Sequence, residues 1–277
     1  MSTSESTPGI PTQAADPAHR FAVVTGASSG IGLELARQFA QNGFDVLVAA
    51  EDDGIDAVAQ ELRGTGQHAE ALRVDLATTA GTEELALRIR TIGRPVDALA
   101  LNAGVGVGGG AFLETPLEDH MRLIDLNVGH VVRLARLVVP AMVTRGAGRV
   151  LVTSSVAASM PGPWYATYAA SKAFVQSFAE ALRVEVQGTG VTVTALQPGP
   201  TDTEFFARAG MEDTKVAGGK KDDPAKVAAQ GFKALMDGDD HVVVGLRNKG
   251  QVLTGNALPD AAGARIHGSM TKPQDED

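Results

Sequence analysis

Residues 21–32 read FAVVTGASSGIG, a short apolar run that leads into a turn with glycines at positions 26, 30 and 32. The apolar run predicts a buried strand over Phe21–Thr25, and the amphipathic pattern that begins at Gly30 predicts a helix. Glycines at such a turn let the backbone approach a pyrophosphate, which the N–H groups at the helix N-terminus can bind. The stretch therefore predicts a nucleotide-binding turn, with a purely structural turn as the alternative.

Beyond this turn, further short apolar runs alternate with amphipathic stretches. Near-continuous Val, Leu and Ala residues are typical of parallel strands that helices cover on both faces. The alternation predicts an α/β fold, a single Rossmann-type doubly wound parallel sheet of about seven strands with helices on both faces. The predicted strands are 21–25, 45–49, 71–74, 96–101, 149–153, 191–196 and 241–245, and the predicted helices are 30–42, 55–63, 82–92, 117–145, 164–187 and 224–236.

Composition excludes several classes of function. The chain has 277 residues, a formal net charge of -9 and no cysteine. An acidic chain without a basic stripe is not expected to bind nucleic acid. The lack of cysteine excludes disulfides and thiolate catalysis and fits a cytoplasmic location. We also predict no metal site, because the six histidines lack metal-binding spacing, and no membrane span, because no run of about 18 apolar residues occurs.

Acidic residues follow the second and third predicted strands. Glu51, Asp52 and Asp53 are consecutive, and Glu51 lies 51 − 30 = 21 positions beyond Gly30. A carboxylate at about this distance can accept hydrogen bonds from the adenosine ribose. Because no Arg or Lys stands near it to pair with a 2′-phosphate, Glu51 favours NAD, with NADP possible. The alternative is a solvated helix start. Asp75 is predicted to cap the adenine side, or to be an ordinary turn residue.

A tyrosine and a lysine four positions apart carry the predicted chemistry. Tyr168 and Lys172 fall on one face of a predicted helix, 168 − 155 = 13 positions after Ser155. Tyrosine, with a pKa near 10, needs a neighbouring cation to act as an acid or base at neutral pH, and Lys172 is expected to lower that pKa. Ser155 ends the fifth predicted strand, where it could position a substrate oxygen. Tyr165 has no lysine at the equivalent spacing, so it is interpreted as a wall of the substrate pocket.

Taken together, these motifs resemble those of the short-chain dehydrogenase/reductase family over about residues 20–205. The resemblance implies an NAD(P)-dependent oxidoreductase that interconverts a secondary alcohol and a ketone by hydride transfer, with Tyr168 as acid/base. It also implies a small-molecule ketone or alcohol as substrate. The motifs are the 25–32 turn, Asp75-Leu76, Asn102-Ala103-Gly104, Asn127, Ser155, Tyr168 with Lys172, and Pro198-Gly199.

Roles for individual residues follow from the same resemblance. In the family, the asparagine matched by Asn127 holds a water that links the lysine to solvent. The backbone of Thr201 and the side chain of Thr203 would meet the nicotinamide carboxamide. The implied catalytic residues are Asn127, Ser155, Tyr168 and Lys172. The implied cofactor-binding residues are Gly26, Ser28, Ser29, Gly30, Ile31, Gly32, Glu51, Asp75, Leu76, Asn102, Ala103, Gly104, Tyr168, Lys172, Pro198, Gly199, Thr201 and Thr203.

The predicted domain organisation has three parts. Residues 1–19, rich in Ser, Thr, Pro and Ala, are predicted to be a disordered tail rather than a signal peptide. Residues 20–250 are predicted to form the dinucleotide-binding catalytic domain, with a substrate lid near 203–223. Residues 251–277 form a C-terminal extension, and they lack the Gly-rich ending that often accompanies the family's tetramers. A homodimer through two long helices is therefore expected, with a tetramer as the alternative.

One alternative function comes from a different class. A catalytically idle Rossmann domain could act as a cofactor sensor or a protein-binding partner. The complete set of Asn127, Ser155, Tyr168 and Lys172 argues against it, because an idle domain does not need all four. An isomerase or dehydratase on the same scaffold also remains open.

Overall fold

A single parallel sheet organises the molecule. The computed structural model describes residues 19–273, and within them seven strands pair in the order β3-β2-β1-β4-β5-β6-β7. The strand order reverses between β1 and β4, so the carboxyl ends of these two strands flank a crevice where doubly wound sheets bind ligands. The strands are β1 (Arg20–Thr25), β2 (Phe44–Ala50), β3 (Ala69–Arg73), β4 (Ala98–Leu101), β5 (Gly148–Thr153), β6 (Val191–Gln197) and β7 (His241–Val243).

Ten α-helices are assigned among the described residues. Two non-α turns accompany them, a π-helical turn at Asp125–Gly129 and a 3₁₀ turn at Val156–Ser159. The helices are α1 (Gly30–Gln41), α2 (Gly54–Arg63), α3 (Thr79–Ile92), α4 (Leu117–Ile124), α5 (His130–Arg145), α6 (Ala166–Glu185), α7 (Phe205–Arg208), α8 (Pro224–Asp237), α9 (Leu246–Ala257) and α10 (Asp260–Thr271).

The hydrophobic core lies on both faces of the sheet. Helices α3, α5 and α6 bury apolar side chains such as Leu85 and Leu134 against one face. Helices α1, α2 and α8 bury Leu35 and Leu235 against the other. Strands covered on both sides explain why their sequences are continuously apolar instead of alternating. The predicted Rossmann-type sheet with helices on both faces is confirmed.

The helix predicted over 117–145 has these bounds in the structure, and it contains one departure from regular α-helical geometry. The segment is divided into α4 and α5 by the π-helical turn. The turn faces Asn127 inward, and its amide hydrogen-bonds Val105 and Ser171. A π-helical turn of this kind often marks a functional position. Periodicity alone could not show the interruption, because one extra residue in a turn changes the apolar pattern very little.

The segment Leu117–Arg145 is also long and apolar enough to cross a membrane, judged by length and composition alone. No membrane span was predicted here, because the segment has no continuous run of about 18 apolar residues. Half of its most apolar window is buried inside the protein. A core helix of a folded domain has the same properties, so its length and hydropathy do not indicate a membrane span.

The C-terminal part forms two consecutive helices, α9 and α10, which are called the C-terminal hairpin. The sequence pattern only suggested these helices. The predicted boundary at residue 250 falls inside α9, and α10 follows after Pro259. Glycines weaken helix propensity and obscure the pattern here. A side chain at Gly255 would approach the Met160 side chain at 2.9 Å, so this glycine permits close helix packing. The predicted tail over 1–19, except His19, and residues 274–277 lie outside the described part of the chain.

Candidate active site

The glycine turn after β1 is shaped by close backbone contacts. A Cβ atom at Gly32 would lie 2.0 Å from the carbonyl oxygen of Gly26, and one at Gly26 would lie 2.7 Å from Cα of Ala103. Ser29, at the N-cap of α1, makes no side-chain capping hydrogen bond. The N-terminus of α1 therefore presents backbone N–H groups over a cradle that side chains would fill, which fits the pyrophosphate of a dinucleotide.

Hydrogen bonds lock three strand ends together beside this turn. The Thr25 hydroxyl accepts from the backbone N–H of Asn102 at 2.9 Å and of Ala103 at 3.0 Å. The Asn102 amide donates to the Thr25 carbonyl at 3.2 Å and accepts from the Thr153 hydroxyl at 3.0 Å. The carboxyl ends of β1, β4 and β5 are thus held at fixed positions around the crevice.

The predicted catalytic residues Ser155, Tyr168 and Lys172 meet at the carboxyl end of β5. All three are buried, with 8%, 9% and 5% of their surface exposed. The Lys172 ammonium donates to the Thr153 carbonyl at 3.0 Å and lies 5.8 Å from the centre of the Tyr168 ring. The Ser155 hydroxyl caps the 3₁₀ turn by accepting from the Ala157 N–H at 3.1 Å. Backbone groups therefore fix two of the three side chains.

The electrostatics of this group differ from the expectation that Lys172 lowers the pKa of Tyr168. Burial raises the pKa of Tyr168 to about 12, and a hydrogen bond with Ser155 only partly opposes the rise. Burial also lowers the pKa of Lys172 to about 8. The physical reason is that the ammonium is directed to the Thr153 carbonyl rather than to the tyrosine hydroxyl. Lys172 is still mostly protonated at pH 7 and can serve as a cation.

Asn127 lies beside this group but does not line the cavity. Its side-chain oxygen accepts from the Val105 N–H at 2.9 Å, and its amide nitrogen donates to the Val105 carbonyl at 2.9 Å and to the Ser171 hydroxyl at 3.0 Å. A Cβ at Gly104 would lie 3.0 Å from the same oxygen and 3.3 Å from the Lys172 ammonium. Asn127 thus positions the backbone that covers Lys172. Its role in a water relay stays a prediction.

A buried histidine supports the same region. His130, at the start of α5, hydrogen-bonds through Nδ1 to the Leu126 carbonyl, and its Nε2 lies 3.4 Å from the Thr25 hydroxyl. Burial lowers the pKa of His130 to about 4, assisted by the positive charge of Lys172. The imidazole is therefore neutral, so Nδ1 donates to Leu126 and Nε2 can accept. No sequence signal distinguished this histidine from the other five.

The carboxylates at the other end of the crevice are paired. The Arg122 guanidinium from α4 contacts Glu51 at 2.5 Å and Asp75 at 2.9 Å. Arg73 donates to the Glu51 carbonyl at 3.1 Å. Burial would raise the pKa of Asp75, but hydrogen bonds from Arg122 and from the Ala77 N–H hold it below its usual value. The interpretation that no arginine stands near Glu51 is therefore wrong, because the fold brings Arg122 across 71 positions of sequence.

The segment after β6 forms the opposite wall of the crevice. The Pro198 carbonyl accepts from the Val156 N–H at 3.0 Å, which holds this turn against the residue that follows Ser155. A side chain at Gly199 would collide with Asn248 of α9, 2.3 Å away. The Thr203 methyl lies 2.9 Å from where a Cβ of Gly30 would be. The two predicted cofactor segments, after β1 and after β6, thus lie face to face.

The predicted lid packs on the glycine-rich segment 104–110. The Gly108 N–H donates to the Ala209 carbonyl at 3.1 Å, and a Cβ at Gly109 would lie 1.7 Å from the Gly210 carbonyl oxygen. A side chain at Gly106 would meet the Phe205 ring at 2.6 Å. This glycine-rich segment, the rim of the cavity, is therefore in direct contact with α7 and with the two residues that follow it.

These segments enclose a cavity of about 430 Å³. Every predicted cofactor-binding residue lines it, as do Ser155 and Tyr165, while Asn127 does not. Sequence reasoning missed the contribution of the C-terminal hairpin, since no motif marks it. The lining residues from that hairpin are Arg247, Asn248, Gln251, His267, Met270 and Thr271. Within residues 19–273, no group of three or more His, Asp or Glu side chains is placed to hold a metal ion.

Comparisons with known proteins agree with this architecture. Oxidoreductase UcpA of Salmonella typhimurium is 33% identical over 217 residues, which cover 78% of this chain and 80% of the relative. The structure of a short-chain dehydrogenase from Sphingobium yanoikuyae in complex with NADPH has 31% identity and a TM-score of 0.77, covering 85% of this chain and 92% of that one. A 3-ketoacyl-(acyl-carrier-protein) reductase from Brucella melitensis complexed with NADH has 25% identity and a TM-score of 0.72, with 83% and 98% covered.

The family model for short chain dehydrogenases matches residues 20–213, which include the glycine turn, the paired tyrosine and lysine, and part of the lid. The matched range contains the carboxyl ends of β1, β4, β5 and β6, where the crevice is built. Beyond it, the C-terminal hairpin adds the remaining wall. On this match and these relatives, the chain belongs to the short-chain dehydrogenase family, whose members are oxidoreductases that act on CH–OH groups with NAD(P).

Proposed function

We propose that the protein interconverts a secondary alcohol and a ketone, with Tyr168 as the acid/base. The observation that carries the proposal is the convergence of Ser155, Tyr168 and Lys172 on one cavity beside the glycine turn. The three side chains are buried, and burying such polar groups costs free energy that a purely structural role would not repay. Their chemistry is complementary: a proton donor, a hydrogen-bonding hydroxyl and a cation.

Tyr168, Ser155 and Lys172 have separate roles in the transfer of one proton. A bound nicotinamide supplies the hydride for reduction of the ketone or accepts it from the alcohol. Tyr168 donates a proton to the oxygen of the reduced substrate, or takes it from the alcohol in the reverse direction. The Ser155 hydroxyl orients that oxygen. Lys172 stays charged at neutral pH and would bind ribose hydroxyl groups of the cofactor.

The glycine turn and the β6 turn would hold the cofactor. Backbone N–H groups at the start of α1 would bind the phosphates, and Asn102 to Gly104 would contact the central part of the molecule. Thr201 and Thr203 would meet the carboxamide. The lining of the cavity by apolar side chains, including Phe205 and Phe206, favours a substrate with an apolar body.

The test is a spectrophotometric assay at 340 nm with NADH or NADPH and a panel of ketones, and with NAD or NADP and secondary alcohols. We expect cofactor-dependent turnover with at least one carbonyl compound and its loss in Tyr168→Phe. Tight cofactor binding by the protein with no turnover of any carbonyl or alcohol would instead favour the idle, sensor-type domain.

We further propose that the adenosine pocket accepts both cofactors, with NADPH bound at least as tightly as NADH. The support is that the Glu51 carboxylate is already neutralised by Arg122, so it repels a 2′-phosphate far less than a free carboxylate would. Arg122 and Arg73 also provide positive charge at this edge. The NADPH complex of the Sphingobium relative and the NADH complex of the Brucella relative are compatible with either choice. Calorimetric dissociation constants for the two reduced cofactors decide between them.

We propose a homodimer formed through α5 and α6. Large apolar side chains on these helices are exposed: Leu137 at 44%, Phe174 at 46% and Val184 at 69%. Phe174 and Phe178 stack at 6.3 Å between ring centres, which forms a flat aromatic surface. Exposed aromatic and aliphatic side chains of this kind are typical of an interface between subunits. Light scattering should give twice the 28.6 kDa chain mass, and Phe174→Asp should give the monomer.

We also propose a cytoplasmic location. The support is the absence of cysteine from all 277 residues, which removes any need for an oxidising compartment. Fractionation of cells that express a tagged chain tests this.

A further inference from the structure

A tyrosine–histidine pair lies next to Tyr168, outside the set that the proposed chemistry uses. Tyr165 stacks on Tyr168 with ring centres 5.7 Å apart and an angle of 24° between the planes. Its hydroxyl hydrogen-bonds to Nε2 of His267, which α10 brings across 102 positions of sequence. Both residues line the cavity, and both are buried, at 7% and 3% exposed. The C-terminal hairpin therefore reaches the reaction centre through His267.

The hydrogen bonds of His267 determine which atom of the Tyr165–His267 pair donates and which accepts. Its Nδ1 lies 3.1 Å from the Pro161 carbonyl, an acceptor that has no hydrogen to give. Nδ1 must therefore carry the ring proton, which leaves Nε2 as an acceptor. The Tyr165 O–H then has to donate to Nε2. With its own hydrogen committed, the Tyr165 oxygen can only accept a further hydrogen bond.

Burial maintains these donor and acceptor roles at neutral pH. It lowers the pKa of His267, against the opposing effect of its backbone hydrogen bonds, so the imidazole is neutral. It also raises the pKa of Tyr165 well above its ordinary value, so the phenol keeps its hydrogen. Both residues line the cavity, and together they offer a hydrogen-bond acceptor, the Tyr165 oxygen, without a free donor.

Several contacts hold the pair in place. The Thr271 hydroxyl of α10 donates to the Pro163 carbonyl at 2.8 Å, and the Val216 N–H of the lid donates to the Met270 carbonyl at 3.1 Å. Trp164, directly before Tyr165, has a φ of 68°, a conformation that bulky side chains rarely adopt. Such local strain persists where the surrounding structure fixes it, often at functional sites. An acceptor held this firmly is suited to selecting a ligand group.

We propose that Tyr165 and His267 form a substrate-positioning pair that accepts a hydrogen bond from a hydroxyl group close to the reacting carbonyl. The inference rests on the proposed function and gives its substrate class as hydroxyketones and the matching diols. The two tyrosine rings stack with their centres 5.7 Å apart, which places the Tyr165 ring directly beside the proposed acid/base. Because adjacent side chains contact neighbouring atoms of one substrate, we assign the hydroxyl to one of the two carbons nearest the carbonyl.

The surroundings make this hydrogen bond selective. Phe205, Phe206 and Met211 line the same cavity and offer no polar side-chain group that accepts strongly. A substrate hydroxyl buried among them without a partner would lose its hydrogen bonds to water and bind weakly. The Tyr165 oxygen, beside Tyr168, is an acceptor that would remove this penalty, so the pair should discriminate a hydroxyl from a methyl group at the same place.

The experiment measures binding rather than turnover. The protein is saturated with oxidised cofactor, and ketones are titrated while the fluorescence of Trp164, the one tryptophan in the sequence, is recorded. Two matched pairs exchange a hydroxyl for a methyl group: 3-hydroxy-3-methyl-2-butanone with 3,3-dimethyl-2-butanone, and 4-hydroxy-4-methyl-2-pentanone with 4,4-dimethyl-2-pentanone. Their tertiary hydroxyls cannot be oxidised to ketones, so no hydride is transferred during the titration.

We expect at least one hydroxyketone to bind about tenfold more tightly than its methyl counterpart, the usual effect of one good hydrogen bond. In Tyr165→Phe and His267→Gln this ratio should fall to about twofold or less, while the exposed control His241→Gln keeps it. The ratio cancels any general damage to the fold, because both ligands experience it equally.

Two results would overturn the inference. One is equal binding of both members of each pair by the native protein, and the other is a hydroxyl preference that survives in Tyr165→Phe. Binding of the ketones without a hydroxyl preference leaves the proposed function intact. Cofactor binding with no ketone binding at all would remove the proposed function and this inference together.

Discussion

The two ends of the cavity are built on different physical principles. At the chemical end, Tyr168 and Lys172 are nearly excluded from water, and the backbone carbonyl of Thr153 holds the lysine. At the adenosine end, Glu51 and Arg122 have side chains that are 52% and 45% exposed, and an ion-pair network holds them. Burial makes the first end rigid and shifts its pKa values, whereas solvent weakens and screens the second.

This difference predicts how each end responds to perturbation. Changes at the buried end should produce large effects that salt hardly alters, because low-dielectric surroundings are poorly screened. Changes at the exposed end should produce modest effects that fall with ionic strength. Four experiments test this difference between the two ends, in order of decreasing expected effect.

The largest effect is expected from Tyr168→Phe. Removing the hydroxyl deletes the proton donor while the ring still packs against Tyr165, so kcat/KM should fall by about 100-fold or more with cofactor affinity preserved. The loss should be the same at 50 mM and 500 mM salt. Tyr165→Phe, which removes the other tyrosine hydroxyl of the chain, is the comparison and should cost less than tenfold on a simple ketone. Near-native turnover by Tyr168→Phe would mean that another group supplies the proton.

The second-largest effect is expected in the stability of the protein in acid, which depends on the buried end of the cavity. The pKa of His130 is lowered to about 4 in the fold from 6.5, so between these values the unfolded chain binds a proton that the native state excludes. The free energy of unfolding should therefore decrease as pH falls from 6.5 towards 4, by about 3 kcal/mol at most. Urea titrations across this range measure the slope.

His130→Gln should remove this contribution, whereas the exposed control His241→Gln should not. An unchanged slope in His130→Gln would show that the acid sensitivity comes from other groups, such as the paired carboxylates.

Lys172 should give cofactor binding a pH dependence. Its pKa is lowered to about 8, so the ammonium is charged below that pH and loses its proton above it. Affinity for the cofactor should be constant from pH 6 to 7.5 and then weaken about tenfold as the charged hydrogen bond to the ribose is lost. Lys172→Met should bind weakly at every pH, with no such transition. A midpoint near 10.5 in the native protein would indicate a lysine that is far more solvated than this one.

The smallest effect is expected at the exposed end. Arg122→Gln releases Glu51 and Asp75 as unpaired carboxylates, which repel a 2′-phosphate. NADPH affinity should fall by about three- to tenfold at low salt, the scale of a partly solvated charge interaction, and NADH affinity should change less. The difference should shrink in 500 mM salt.

Lys233→Gln is the matched control, because it also removes a cation from a surface ion pair, with Asp237 on α8. If Arg122→Gln leaves the ratio of NADPH affinity to NADH affinity unchanged, the ion pair does not determine cofactor choice.

The same contrast explains which features could be predicted from sequence. Strands, the glycine turn and the spacing of Ser155, Tyr168 and Lys172 are local patterns, so the sheet and the buried group could be derived directly. The pairing of Glu51 with Arg122 depends on how α4 lies across the ends of β2 and β3, which no local pattern encodes. The interpretation of Glu51 as a free carboxylate was therefore wrong.

His267 was missed for the same reason. It lies 102 positions from Tyr165, in helices whose glycines reduce the helical signal. The effect of Lys172 on Tyr168 was also misjudged, because spacing places two groups on one helix face but does not tell where a flexible ammonium is directed. Motifs can indicate which residues come together, whereas charges and hydrogen bonds depend on the tertiary structure.

The contact between Gly109 and Gly210 limits how the substrate pocket of this protein can be varied. Here two backbones touch with no side chain between them, so the rim and the lid behave as matched surfaces. A substitution at Gly109 would act as a wedge that lifts the lid without touching any ligand. Efforts to enlarge or reshape the pocket through lid residues will therefore succeed only if the glycines opposite them are kept, and libraries should vary the two segments as one unit.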